Sequence, residues 1–239
     1  MFPAMTDQAP AELLPARLED GYRAFLEGRF PTERQRFRAL AETGQKPRIM
    51  LIGCCDSRCA PETIFDASPG EIFVLRNVAA LVPPYRPNDD YHSTSAALEF
   101  GVMGLRVEHI VVMGHEACGG IKAYAENEAD PYMRPLSPGD FIGQWIKLIT
   151  PAAQALGQAP SPPDTAYVEK LGHESVKQSL ANLRTFPCIA SLIEKGRLTV
   201  HGAYFGVADG RLLALDEARG IFEPVAEDAW REAFAAPRF

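Results

Sequence analysis

Two kinds of hydrophobic pattern divide this chain. In residues 1–45 apolar positions recur at helical spacing. Leu14, Leu18, Tyr22 and Phe25 fall three and four apart and line one face, which predicts a helix within Ala11 to Ala41. Thr32 to Ala41 reads as a second helix with Phe37 and Leu40 apolar, and Gly44-Gln45-Lys46-Pro47 breaks it. From residue 49 the pattern changes to short continuous apolar runs, the form taken by strands covered on both faces. Ile49 to Gly53, Glu71 to Arg76 and His109 to Met113 are predicted strands. A helix is predicted between them over Ser93 to Leu105, with Ser93 or Thr94 as N-cap. Gly114 is read as opening a turn, and Gly119-Gly120 precede another helix.

The second half continues this alternation. Pro131 to Gly139 is a predicted loop, Phe141 to Ile149 a short helix stopped by Pro151, and Gln158 to Pro163 a loop. Val168 to Leu183 and Ile189 to Lys195 are predicted helices, the latter ended by Gly196. Leu198 to Tyr204 is a strand, and Arg211 to Leu215 an antiparallel edge strand after the Asp209-Gly210 turn. No repeat and no low-complexity segment interrupts the pattern. The expected fold is α/β: a mostly parallel central β-sheet flanked by helices, with an antiparallel edge strand. Residues 1–239 are expected to form a single domain, with 1–45 as a helical N-terminal arm.

Composition narrows the function. Of 239 residues, 46% are hydrophobic and 23% charged, as in a globular chain. A net charge of -7 disfavours nucleic acid and anionic membranes, which recruit clustered Lys and Arg. No apolar run approaches the roughly 20 residues that span a bilayer. Met1 to Asp7 lacks the basic and apolar regions of a secretory signal. Five cysteines are an odd number for a disulfide framework, and a reducing cytoplasmic location is expected.

The candidate chemistry lies at the ends of two predicted strands. Cys54-Cys55-Asp56-Ser57-Arg58 follows the first, and His115-Glu116-Ala117-Cys118 the third. Loops at the carboxyl ends of parallel strands converge on one edge of the sheet. Cys54, His115 and Cys118 would supply two thiolates and one imidazole there, a catalytic zinc set with one open position. Such a centre sums to zero charge, so it should acidify its water less than an all-imidazole site. A neighbouring acceptor is then required; Asp56 could serve, held by Arg58 through a charge-assisted pair.

Cys54-x-Asp56-x-Arg58, followed about 60 residues later by His115-x-x-Cys118-Gly119-Gly120, resembles the β-class carbonic anhydrases. The resemblance runs from about Gln45 to Ala123 and continues weakly through Asn182-Leu183, Pro187 and the Leu198 to Tyr204 strand. Arg76-Asn77-Val78-Ala79 and Leu81-Val82-Pro83-Pro84-Tyr85 are similar to the plant-like subset. It implies one Zn2+ per subunit on Cys54, His115 and Cys118. Asp56 would accept a hydrogen bond from the zinc's water or hydroxide, Arg58 would orient Asp56, and the hydroxide would attack CO2 to give bicarbonate. Gln45, Phe73, Val78 and Gly119 match substrate-pocket positions, Gln45 as a donor to a substrate oxygen. Phe100 stands at a pocket position where the plant-like pattern has Tyr, so a hydroxyl is lost. Pocket residues cross the subunit interface in the family, which implies a homodimer or homotetramer. Leu51 replaces the Trp of a bicarbonate-regulated subset, and Cys55 a usually small residue.

Plainer readings hold elsewhere. An isolated Asp-x-Arg is usually a structural ion pair; the ligands around this one favour function. Cys55 and Cys59 are expected to be buried or half-buried, and Cys188 to lie in the core. His92, His109, His173 and His201 read as structural or surface residues. Gly119-Gly120 lacks the rest of any phosphate-loop pattern. The Leu14 to Phe25 stripe is read as a packing face, part of it on a partner subunit. Two rival functions remain: a carbonyl sulfide or carbon disulfide hydrolase on the same scaffold, and a non-catalytic zinc-stabilised relative.

Overall fold

The computed structural model describes residues 13–88, 90–130, 132 and 134–235. The expectations at Met1 to Asp7, at Ala11 and at Pro131 lie outside them. The chain divides into two compact units, 1–45 and 46–239.

The first unit is a helical pair, α1 (Ala16–Glu27) and α2 (Arg29–Thr43). The second helix starts three residues before the expected Thr32, because Pro31 falls in its first turn, where no backbone donor is needed. Phe25, Phe30 and Phe37 cluster across the pair with ring centroids 5.5 to 5.9 Å apart.

The second unit is built on six strands in the order β2-β1-β3-β4-β5-β6. β1 (Ile49–Cys54), β2 (Ile72–Asn77), β3 (His109–His115) and β4 (Thr199–Phe205) run parallel. β5 (Leu212–Asp216) and β6 (Ile221–Pro224) are antiparallel. The helices are α3 (Pro61–Ile64), α4 (Ser93–Glu99), α5 (Gly119–Ala129), α6 (Phe141–Ile146), α7 (Thr150–Leu156), α8 (Thr165–Leu183), α9 (Pro187–Glu194) and α10 (Glu227–Ala235).

The continuous apolar run of β1 is buried on both faces, as its composition requires. Met50 and Ile52 join Ile110, Val112, Leu98, Val176 and Leu180 in the main core, while Leu51 packs with Met113 and Ala203 on the other face. Each such side chain contributes about 1.5–3 kcal/mol by leaving water. A second core runs from Cys54 and Cys118 through α5, α6, α7 and the start of α8. The metal-ligand candidates are therefore seated in packed apolar surroundings.

Several expectations are corrected. Gly114 does not open a turn; β3 continues to His115, whose partner in β4 is Phe205. The Ser93 to Leu105 helix is α-helical only to Glu99 and passes into a π-helical turn over Phe100–Leu105. Its N-cap is His92, with no side-chain cap; Thr94 is instead buried beside Asn77. Pro151 does not stop a helix but sits in the first turn of α7, where its missing N–H costs nothing. β5 is not the edge: β6 lies outside it. The helices α3 and α10 and the strand β6 were not anticipated from the sequence.

Candidate metal centre

β1 ends at Cys54 and β3 at His115, and the parallel pairing of Gly53 with Met113 brings these strand ends side by side. Ala117, at φ 52°, turns the chain sharply after β3 and leaves Cys118 at the N-cap of α5. The three ligand atoms lie within 4.8 Å of one another, and all three residues are buried. The two sulfurs are 4.0 Å apart. Two thiolates on a tetrahedral zinc, at about 2.3 Å each, stand about 3.8 Å apart.

The imidazole is preset for a cation. His115, only 2% exposed, holds its Nδ1 2.8 Å from the Glu116 carbonyl, which makes Nδ1 the donor. Its Nε2 is buried with no hydrogen-bond partner. A buried nitrogen lone pair without a partner is costly, and a metal ion beside two thiolates satisfies it. The donor set therefore fits zinc: soft sulfur and imidazole, three ligands, one place left.

Without a cation the two thiols titrate as a pair. The hydrogen bond between them holds Cys54 well below the ordinary thiol value and Cys118 well above it, with burial adding to the second shift. Burial pulls His115 down, but its contact with Cys54 outweighs this and leaves the imidazole above its ordinary value. Metal uptake at this corner thus competes with protons.

Asp56 is locked beside the ligands. Its Oδ1 accepts from Arg58 N at 3.0 Å and Nε at 2.9 Å, and its Oδ2 from Nη2 at 2.7 Å. Arg58 Nη2 also donates to the Ala117 carbonyl at 3.2 Å, tying the two halves of the motif together. The Asp56 carboxyl is held well below the usual carboxylate range, chiefly by the Arg58 side chain. Its Oδ2 stands 4.0 Å from His115 Nε2, at the border of the space the ligands surround.

Arg76 stood in the sequence only within the Arg76-Asn77-Val78-Ala79 stretch, with no role of its own. Its Nε donates to the Cys54 carbonyl at 2.8 Å and its Nη2 to the Asp56 carbonyl at 2.7 Å, so one guanidinium spans the ligand-to-acceptor loop. The signal was present: a charge at the end of the otherwise apolar run Ile72 to Leu75. Two glycines allow close packing around the site. A Cβ on Gly114 would meet Val176 Cγ2 at 2.9 Å, and one on Gly120 would meet Val78 Cγ1 at 2.8 Å.

The expected pocket residues separate into groups. Val78 packs into the core that holds Cys54 and Cys118, and Trp145 Nε1 donates to its carbonyl at 2.8 Å. Gly119 opens α5, with open space where a Cβ would be. Phe73 and Phe100 touch each other, centroids 5.9 Å apart, but are not brought to the ligands. Phe73 pairs with Met50, four residues before Cys54 and roughly 13 Å along the strand. Phe100 is 55% exposed. Gln45 is the last residue of the 1–45 unit.

Cys55 is exposed rather than buried, because it follows the last residue of β1 where the chain leaves the sheet. Cys59 is buried, and burial pushes its thiol up to about 11. Cys188 is half-buried against the main core. None of the other four histidines belongs to the metal group. His173 lies between Tyr204 and Phe222, and His109 Nδ1 is 3.2 Å from His201 Nε2.

The family model described as carbonic anhydrase matches residues 49–212. The chain belongs to the β-carbonic anhydrase family. It is similar to the carbonic anhydrase of Pseudomonas aeruginosa strain PAO1, with 37% identity over 209 residues, 87% of this chain and 90% of that protein. Among solved structures, the β-carbonic anhydrase CcaA superposes with a TM-score of 0.78 at 30% identity, over 87% of this chain and 98% of the other. The tetrameric β-carbonic anhydrases of Sordaria macrospora give 0.68 at 29% identity, over 84% and 95%. The β-carbonic anhydrase fold, a mostly parallel sheet flanked by helices, is the one expected from the sequence. Its relatives are carbonate dehydratases, lyases acting on CO2, and this chain is an enzyme of that class. Among the described residues, no helix is long and apolar enough to cross a membrane.

Proposed function

We propose that this protein interconverts CO2 and bicarbonate with one Zn2+ per subunit, held by Cys54, His115 and Cys118. The observation that carries this reading is the orphaned His115 Nε2, buried between two thiols and bordered by a locked carboxylate. Zinc, when bound, would supply a water acidified toward hydroxide, though less strongly than at an all-imidazole site.

The remaining work falls to the chain. Asp56 stays ionised because both oxygens are held by Arg58, so it can only accept a hydrogen bond. It thereby orients the proton of the nucleophile and directs a lone pair toward the substrate. Arg58 is the positioning residue, and its bond to the Ala117 carbonyl fixes the distance between the motif halves. A purely structural metal site has no use for such an acceptor, which disfavours the non-catalytic reading.

Val78 and Gly119 are proposed to line the pocket beside the ligands. Phe73, Phe100 and Gln45 are proposed to serve the centre of a partner subunit, since Phe73 and Phe100 stand well away from their own. This makes the working form a homodimer or homotetramer, in keeping with the tetrameric Sordaria macrospora enzymes. All five cysteines are free, which supports a reducing, cytoplasmic setting.

Stopped-flow CO2 hydration with zinc measured in parallel tests the reading. The expected result is about one zinc per chain with rapid hydration that rises toward alkaline pH. Full zinc loading without hydration at alkaline pH would overturn it.

A further inference from the structure

The amino ends of β3 and β4 carry a second concave site. A hollow of about 610 Å3 is lined there by Arg106, Arg197, His109 and Thr199, with Val102 and Leu192 among its apolar walls. His109 opens β3 and His115 closes it, so the hollow lies roughly 20 Å along the strand from the metal ligands.

The arginines of this hollow differ from most others in the 46–239 unit. Arg48, Arg58, Arg184, Arg211, Arg219 and Arg231 each hold a carboxylate. Among the described residues, Arg106 and Arg197 hold none, yet both line one cavity of a chain whose net charge is -7. The carboxylate in the lining, Glu108, is already paired with Arg48. His109 meets His201 through Nδ1, and its other ring nitrogen has no partner among the described residues. Arg106 also adopts φ 59°, a left-handed position after a helical turn that glycine or asparagine occupies more easily.

We propose that this hollow binds a phosphate monoester. Its phosphoryl oxygens bridge the Arg106 and Arg197 guanidiniums, which suit bidentate recognition, with Thr199 and His109 as further polar partners. Its organic body lies along Val102 and Leu192. The volume exceeds what inorganic phosphate fills, and the apolar walls have no use for phosphate alone.

Isothermal titration of the zinc-loaded protein at constant ionic strength tests this, with ribose 5-phosphate, inorganic phosphate and ribose as probes. Ribose 5-phosphate should bind saturably at one site per chain, inorganic phosphate more weakly, and ribose not at all. Arg106→Gly and Arg197→Gln should each weaken ribose 5-phosphate about tenfold, with CO2 hydration unchanged. Arg106→Gly relaxes the backbone at that position, so lost binding there does not report unfolding. Absence of saturable binding overturns the proposal. So does wild-type affinity in the double variant, which places the phosphoryl group elsewhere, or tighter binding of inorganic phosphate than of the sugar phosphate.

Discussion

The two ends of strands β1 and β3 each carry arginine, histidine and a carboxylate but behave differently. At the carboxyl end, Cys54, His115 and Cys118 are buried, and Asp56, Arg58 and Arg76 are cross-tied to one another or to backbone carbonyls. At the amino end, Arg48 and Glu108 form an ion pair in solvent, and Arg106 and Arg197 stand exposed. The sheet supplies both ends with similar geometry. What differs is cover: α5 to α8 close a second core over one end, while the other stays open to water. Burial strengthens every charge interaction and penalises every unpaired group, so chemistry that needs fixed geometry belongs at the covered end.

Breaking the covered end should have the largest effect. His115→Ala should lose zinc, together with at least about a thousandfold in CO2 hydration, checked by metal analysis and stopped flow. Asp56→Asn should keep zinc while turnover falls about 10²–10⁴-fold; unaltered turnover would remove Asp56 from its role. Asp56 also predicts an acid effect of definite sign. Its folded-state pKa lies below the unfolded value of about 3.9, so its stabilisation is complete above that pH and is lost as pH falls further. The Asp56→Asn protein should therefore show a shallower fall of Tm below about pH 4. Arg76→Ala should weaken zinc affinity about 10–100-fold, measured by competition with a chelator, because the loop between ligand and acceptor loses its clamp. At the open end, Glu108→Gln should leave hydration unchanged and shift Tm by no more than about 4 °C.

Legibility in the sequence followed the same division. The buried strands were readable because a short continuous apolar run bounded by turn residues suits a strand covered on both faces, and β1 and β3 begin where expected. The clustering of Cys54, His115 and Cys118 was readable because thiols and an imidazole at two strand ends form a rare combination. β6 was missed because it is the outermost strand, where burial imposes little pattern. The π-helical turn at Phe100–Leu105 was invisible because its apolar content suits an α-helix equally well. Arg76 acts on backbone carbonyls, and no residue spacing encodes that. Cys55 was misjudged because its exposure depends on where the strand releases the chain.

Gly114 and Gly120 carry a consequence for how this centre can change over time. Each leaves a gap smaller than a methyl group, one beneath the strand that bears His115 and one beneath the helix that follows Cys118. Drift at either position would press on the ligands through Val176 or Val78, without touching a donor atom. The heritable tolerance of the metal corner is therefore set by atoms that are missing. A side chain at either position would first need room made in α8 or around Val78, before any ligand is altered.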